Sequence, residues 1–316
     1  MNMVVSHWSA NAVVLIVIGT VAATHLLGLT GTVAETGRLA RPRWTGPEAG
    51  RQAAMFYCGL AAVVLALVSP LAYWSGRFIW VRSQQDVLLA LAAPSLIVLG
   101  APWLPLRRGA AALLPRPASR RPHRPPTAAA RRPWPDRRPG PAPFGRAWMT
   151  WPVAIAVVFN AAWLGWHLPG PYDAALRRPV LDTAEVVTYL GLGIAFWLVI
   201  IGSRPYTPRL VPLARAALVT GSFTIISVFA MVLVFGNHVL YPAYIGPAHH
   251  VLSVVADQQI GGAVLWTGAT LPFGVAVIAL CVRWLSAEES GTLDAGTGHL
   301  LTRSASGWPS RPGFRW

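Results

Sequence analysis

Residues 211–236 read VPLARAALVTGSFTIISVFAMVLVFG, and from Ala216 onward the stretch carries no charge for 21 residues. A helix rises about 1.5 Å per residue, so a run of this length spans the ~30 Å hydrocarbon core of a bilayer. Working outward, six more apolar runs of similar length lie near 9–29, 53–73, 87–105, 151–168, 183–201 and 259–282. The chain has 316 residues, of which 54% are hydrophobic and 12% charged. Typical globular domains carry about 25% charged residues. This composition excludes a soluble enzyme, a disordered chain and a small disulfide-stapled domain. The fold class expected is all-α: a polytopic membrane protein with about seven transmembrane helices. The first run has no basic segment before it and no clear A-x-A site after it, so it reads as a helix and not as a signal peptide.

All 26 basic residues are Arg, and the formal net charge is +15. In a soluble protein such a balance would point to nucleic acid. Here the Arg lie between apolar runs, where cytoplasmic loops meet anionic headgroups, so no nucleic-acid partner is expected. Alternate connections carry 22 Arg, and the opposite ones carry only Arg77, Arg82, Arg177 and Arg178. The positive-inside rule then puts the N-terminus outside and the C-terminus in the cytoplasm of a bacterial cell membrane.

The expected organisation is one membrane domain made of 1–106 (helices 1–3) and 149–285 (helices 4–7). Residues 107–148, with RPASRRPHRPP and RRPWPDRRPGPAP, read as a disordered Arg/Pro-rich cytoplasmic loop. Residues 286–316 read as a flexible cytoplasmic tail. Cys58 and Cys281 fall inside apolar runs and read as small buried hydrophobes.

Polar residues gather at the ends of several spans on the Arg-poor side. They include Arg82, Gln84, Gln85 and Asp86 before the third span, and Trp166, His167, Tyr172 and Asp173 after the fourth. Asp182, Glu185 and Tyr189 open the fifth, Asn237, His238, Tyr241 and Tyr244 follow the sixth, and Asp257, Gln258 and Gln259 open the seventh. Such a collection predicts one shared site at that boundary. Asp182 and Glu185 are three apart and share a helix face, although Asp182-Thr183 also has the form of an N-cap with Glu185 as its capping-box partner. Arg82 and Asp86 are four apart and would pair if the third helix begins early. His167, beside Trp163 and Trp166, reads first as a hydrogen-bonded structural residue. His249 and His250 are adjacent, so their side chains diverge. No HxH, HxxxH or MxxM series marks a copper site, and Walker A, GxGxxG, HExxH and GxSxG patterns are absent. No nucleophile–base pair can be named, so the chain is not expected to be an enzyme.

Four segments in order resemble the bacterial multi-pass cytochrome c oxidase assembly factor family CtaG, of the caa3-oxidase type. They are QQDVLLALAAPSLIVLGAPW (84–103), WHLPGPYDAALRRP (166–179), AEVVTYLGLGIAFWLVIIGSRP (184–205) and ADQQIGGAVLWTGATLP (256–272), with LYPAY (240–244) in support. The resemblance covers roughly spans 3 to 7. It implies a role in maturation of the copper-containing oxidase on the outer side, with oxidase subunits and the lipid bilayer as partners. It carries a functional role to His167, Tyr172, Glu185, Tyr241, Asp257, Gln258 and Gln259. With Gln85, Asp86 and Asp182, these form the expected outer-face polar cluster.

Two departures from the family pattern stand out. The family shows HMxQH where this chain has Arg82, Ser83, Gln84, Gln85 and Asp86. It shows HxxEH where this chain has Asp182, Glu185 and Val186. Four imidazoles are thus missing, and carboxylates suit Cu(I) poorly. Copper is the metal implied, with His167 and His238 as the candidate ligands left. Three other readings compete: a copper-resistance-like or other small-solute transporter, a haem protein using His167 and His238, and a scaffold that kept the fold but lost the metal site.

Overall fold

The computed structural model describes residue 8 and residues 11–30, 47–114, 147–246 and 252–305; for residues 30, 147–150 and 287–305 only the backbone is described. Among these the chain is helical, and its one β-type pairing is a bridge between Ser203 and Tyr206. The helices are α1 (Ala12–Thr30), α2 (Pro47–Leu67), α3 (Pro70–Trp74), α4 (Ile79–Val87), α5 (Ala93–Leu99), α6 (Trp103–Leu113), α7 (Ala147–Trp166), α8 (Pro169–Arg177), α9 (Pro179–Ile200), α10 (Pro212–Phe235) and α11 (Val254–Ala305). Five spans are long and apolar enough to cross a membrane: α1, α2 with α3, α9, α10 and the first part of α11. Counting each bent pair as one span, 79–99 with α6 and 151–166 with α8, gives seven. The chain is therefore the all-α multi-span protein expected from its composition.

Prolines set the breaks. Pro70, Pro169, Pro179 and Pro212 each open a helix, where a missing N–H costs nothing. Ser69 caps α3 by accepting from the Leu71 amide at 3.2 Å. Between α4 and α5, Leu88–Ala92 form a π-helical turn directly before Pro94. Proline cannot donate to the carbonyl four residues back, and the wider turn absorbs the lost bond. Gly193 of α9 sits against that spot: a Cβ there would lie 2.6 Å from the Ala90 carbonyl oxygen.

Three boundaries differ from the sequence reading. The third span begins at Ile79, not near 87, because Asp257 caps its first amides from another helix. It then bends by 80° at 100–102, and α6 occupies 103–113 where the Arg/Pro-rich loop was expected from 107. The helical backbone of α11 runs to Ala305, past the expected start of the tail at 286. The bulk of the Arg/Pro-rich loop (115–146), His7, His249, His250 and 306–316 lie outside the described residues.

The core joins α7, α9, α10 and α11. Phe159 stacks on Phe196 at 4.7 Å, and Trp197 stacks on Phe273 at 5.7 Å. At the other edge α6 crosses α1 at backbone contact. A Cβ on Gly28 would lie 1.8 Å from the Pro105 carbonyl oxygen, and one on Gly109 would lie 1.8 Å from that of Thr24. Small residues at such crossings let helices meet where lipid gives no hydrophobic drive. Gly109→Leu should therefore push α6 off α1 and cost about 1–3 kcal/mol. Gly50→Leu, with nothing within 4 Å of its Cβ, should not. Melting of the two purified variants in detergent checks this, and equal melting would refute the crossing.

Candidate functional site

Because α4 starts at Ile79, Arg82, Gln85 and Asp86 lie in its first two turns and face inward. Sequence placed them in the loop before the third span or at its start, and the longer helix takes them into the span's first two turns. Arg82 is 5% exposed, Asp86 2%, His167 2% and Glu185 1%. The Arg82 guanidinium holds the cluster together. Its Nη1 donates to Asp182 Oδ1 at 3.0 Å, and its Nη2 donates to Glu185 Oε2. Eight residues further along each helix, Ala90 meets Gly193, so α4–α5 and α9 run parallel in matched register. Close packing at Gly193 thus sets the depth at which the guanidinium finds its carboxylates. Asp182 is not an N-cap: α9 begins at Pro179 behind Arg178, and Asp182 lies in its first turn.

His167 follows the last residue of α7, where Pro169 ends the helix. Its ring stacks on Trp163 at 3.8 Å. Nδ1 lies 2.9 Å from the Trp163 carbonyl oxygen and 3.2 Å from the Tyr189 hydroxyl. A carbonyl only accepts, so Nδ1 carries the hydrogen. Nε2 then faces Asp86 Oδ2 at 3.5 Å. Two lone pairs so placed repel unless one proton lies between them. Tyr241 closes the site from the α10–α11 connection. Its hydroxyl donates to the His167 carbonyl at 2.9 Å, and its ring stacks on Tyr172 at 4.0 Å. Tyr244 donates to the Ser75 carbonyl at 2.8 Å. Burial pushes both the Tyr241 and Tyr244 phenols above their ordinary value, so both remain protonated donors.

The DQQ segment has a different task. Asp257 accepts from the Ile79 amide at 2.8 Å and the Trp80 amide at 3.1 Å, capping α4. Gln258 accepts from the Leu240 amide at 2.8 Å and donates to the His238 carbonyl at 3.3 Å. Gln259 donates to the Gly236 carbonyl at 3.3 Å. These three residues bracket the site and do not line it. Gln85 is partly committed too, donating to the Ala66 carbonyl at 2.9 Å.

The cluster sets one guanidinium against the three carboxylates of Asp86, Asp182 and Glu185. Five of its buried polar atoms, Arg82 Nε, Gln85 Oε1, Asp86 Oδ2, His167 Nε2 and Glu185 Oε1, have no hydrogen-bond partner among the described residues. So many unpaired groups in one cluster call for an explanation beyond packing. A cavity of about 570 Å³ reaches it, lined by Tyr73, Ser75, Arg82, Gln85, Pro179 and Asp182. The Asp182 side chain is 46% exposed there.

Copper does not fit this donor set. Cu(I) takes thiolate, thioether or imidazole ligands. Here the single buried imidazole faces a carboxylate, and a guanidinium fills the centre. His238 is exposed, and its backbone carbonyl, not its ring, makes the bond to Gln258. No group of three or more His, Cys, Asp or Glu suited to a metal ion occurs among the described residues. No step through copper is derived from this cluster.

Sequence reasoning placed Arg82 and Tyr189 among the polar residues of this boundary but gave neither a central role. The available signal was the pairing of two acidic positions on one helix face with a lone basic residue in the Arg-poor half of the chain.

The chain is 25% identical over 279 residues to an uncharacterized protein of Mycobacterium leprae, an alignment covering 84% of this chain and 38% of that one. It is 24% identical over 279 residues to uncharacterized proteins of Mycobacterium bovis and Mycobacterium tuberculosis, with 82% and 38% covered. The chain thus spans about 38% of the length of the curated relatives it matches. No solved structure matches it. The family model described as cytochrome c oxidase caa3 assembly factor (Caa3_CtaG) matches residues 33–287, a segment that holds the Arg82 cluster, the Asp257 cap and both tyrosines of the α10–α11 connection. With most of its length and its whole polar site inside that match, the chain belongs to the Caa3_CtaG family.

Proposed function

We propose that this protein is an integral membrane factor for assembly and maturation of cytochrome c oxidase in a bacterial cell membrane. The family match over residues 33–287 carries the reading. The Arg imbalance supports an orientation with the Arg82 cluster on the outer side. In this role the cavity beside Asp182 receives a segment of an oxidase subunit, and the cluster holds that mouth in shape while exchanging a proton between Asp86 and His167. The role is non-catalytic, and copper does not pass through the cluster. The central guanidinium also favours a second reading, a scaffold that keeps the family fold after losing a metal site.

The test is deletion of the gene followed by a reduced-minus-oxidised spectrum of the membranes. Loss of the a-type haem bands, restored by the wild-type gene, is the expected result. Glu185→Gln, produced at the wild-type level, should restore them poorly, and His238→Ala should restore them fully. Unchanged bands in the deletion strain would overturn the assembly reading. Full rescue by Glu185→Gln would favour the scaffold.

A further inference from the structure

Far from the Arg82 cluster, two cavities meet. The first is an apolar groove of about 600 Å³ between α4–α5, the end of α9 and the face of α11 from Thr267 to Arg283. Its floor includes buried Trp197, and its rim residues Leu99, Leu271 and Val275 are exposed along the membrane-spanning stretch. The groove therefore opens toward hydrocarbon. The second is a polar cavity of about 430 Å³ at the end where α2 begins and α9 ends. It is lined by Arg51, Arg204 and Arg283, with Glu48 as its one acidic residue. Leu99, Ile201 and Arg283 line both, so the hydrocarbon groove ends at the arginines.

No ion pair is recorded for Arg51, Arg204 or Arg283 among the described residues, and Arg215 stands within electrostatic reach of Arg283. Like charges gathered around one carboxylate call for an anion. The adjoining groove calls for an alkyl chain attached to it. We propose that these two cavities form one binding site for an anionic phospholipid. The acyl chain lies along α11 over Trp197, and the phosphate is held by the forked guanidiniums of Arg51, Arg204 and Arg283. Charge complementarity at the mouth selects a lipid over an apolar partner helix. The proposal stands apart from the assembly reading, since it uses none of the Arg82 cluster.

The experiment is native mass spectrometry of the full chain released from detergent after loading with phosphatidylglycerol or phosphatidylcholine of matched chains. Phosphatidylglycerol should be retained at least about tenfold more strongly. Arg204→Gln with Arg283→Gln should lower that preference about tenfold or more, while Arg177→Gln at the opposite end should leave it unchanged. Ala279→Trp, which fills the groove from an exposed position, should lower retention of both lipids. Melting temperatures confirm folding, and Arg51→Gln replaces the double variant if that one melts early. Equal retention of the two lipids would overturn the proposal, as would an unchanged preference in the arginine variants. Inorganic phosphate displacing the lipid at equal concentration would reduce the site to a phosphate site and overturn it as well.

Discussion

Arg82→Met is expected to destabilise the folded bundle by about 3–5 kcal/mol, the loss found when one partner of a buried ion pair is removed. The side chain changes little in length, so packing is largely kept. What is lost is the cation between Asp182 and Glu185, with Asp86 one turn along the same helix. Buried Glu185 then stands uncompensated in a low dielectric, where a charge is costly. The partners are not equivalent. Asp182 is nearly half exposed at the cavity and water can screen it, so Asp182→Asn should cost far less than Glu185→Ala. The decisive comparison is the double variant Arg82→Met/Glu185→Met. Replacing both members of a buried pair by apolar groups is often neutral, so the double variant should recover most of the loss. Denaturation in detergent reads all four. A double variant no more stable than Arg82→Met alone would refute the pair as the centre of the cluster.

Asp257→Ala should cost about 2–4 kcal/mol, because two amides at the start of α4 lose their acceptor together. Asp257→Asn keeps one of the two capping oxygens but sets its NH2 against the other amide, so it should cost less than the Ala variant, about 1–2 kcal/mol. The effect should also reach the site. If α4 frays at Ile79, Arg82 loses its fixed height one turn below. Asp257→Ala should therefore impair oxidase maturation in the deletion strain as severely as loss of Arg82, although Asp257 does not line the cavity. Retained maturation by Asp257→Ala at normal protein level would separate the bracket from the site.

These two residues show how far the sequence could be read. The spans were legible because hydrocarbon thickness imposes a length, and length survives in any linear reading. That polar residues of several spans gather toward one end of the bundle was legible as well, because successive spans alternate in direction. Which of them touch was not. Arg82 looked like a loop residue because the apolar run begins at Val87, yet an acceptor 178 residues away allows the helix to start two turns earlier. Gln258 and Gln259 read as site residues from their place in the family pattern, and Gln259 also because a polar group deep in a span is costly; two backbone carbonyls and an amide of the preceding connection meet their needs here. His167 stood out in the sequence beside Trp163 and Trp166, but its partners come from α4, α9 and the α10–α11 connection, and no local pattern records such a meeting. The bend after Leu99 was hidden as well, since apolar residues continue through it into α6.

The order in which the chain is made gives the Arg82 pairing a further meaning. The ribosome delivers Arg82 about 100 residues before Asp182 and Glu185, an interval of roughly 5–20 s at about 5–20 residues per second. During that wait the third span holds its guanidinium with Asp86, four residues on, as its one acidic neighbour, and the amide cap from Asp257 comes later still. The arrival of α9 and then α11 completes the set. Insertion machinery must shelter that span until then, and a chain cut short after α10 should be handed to proteolysis and not to the membrane.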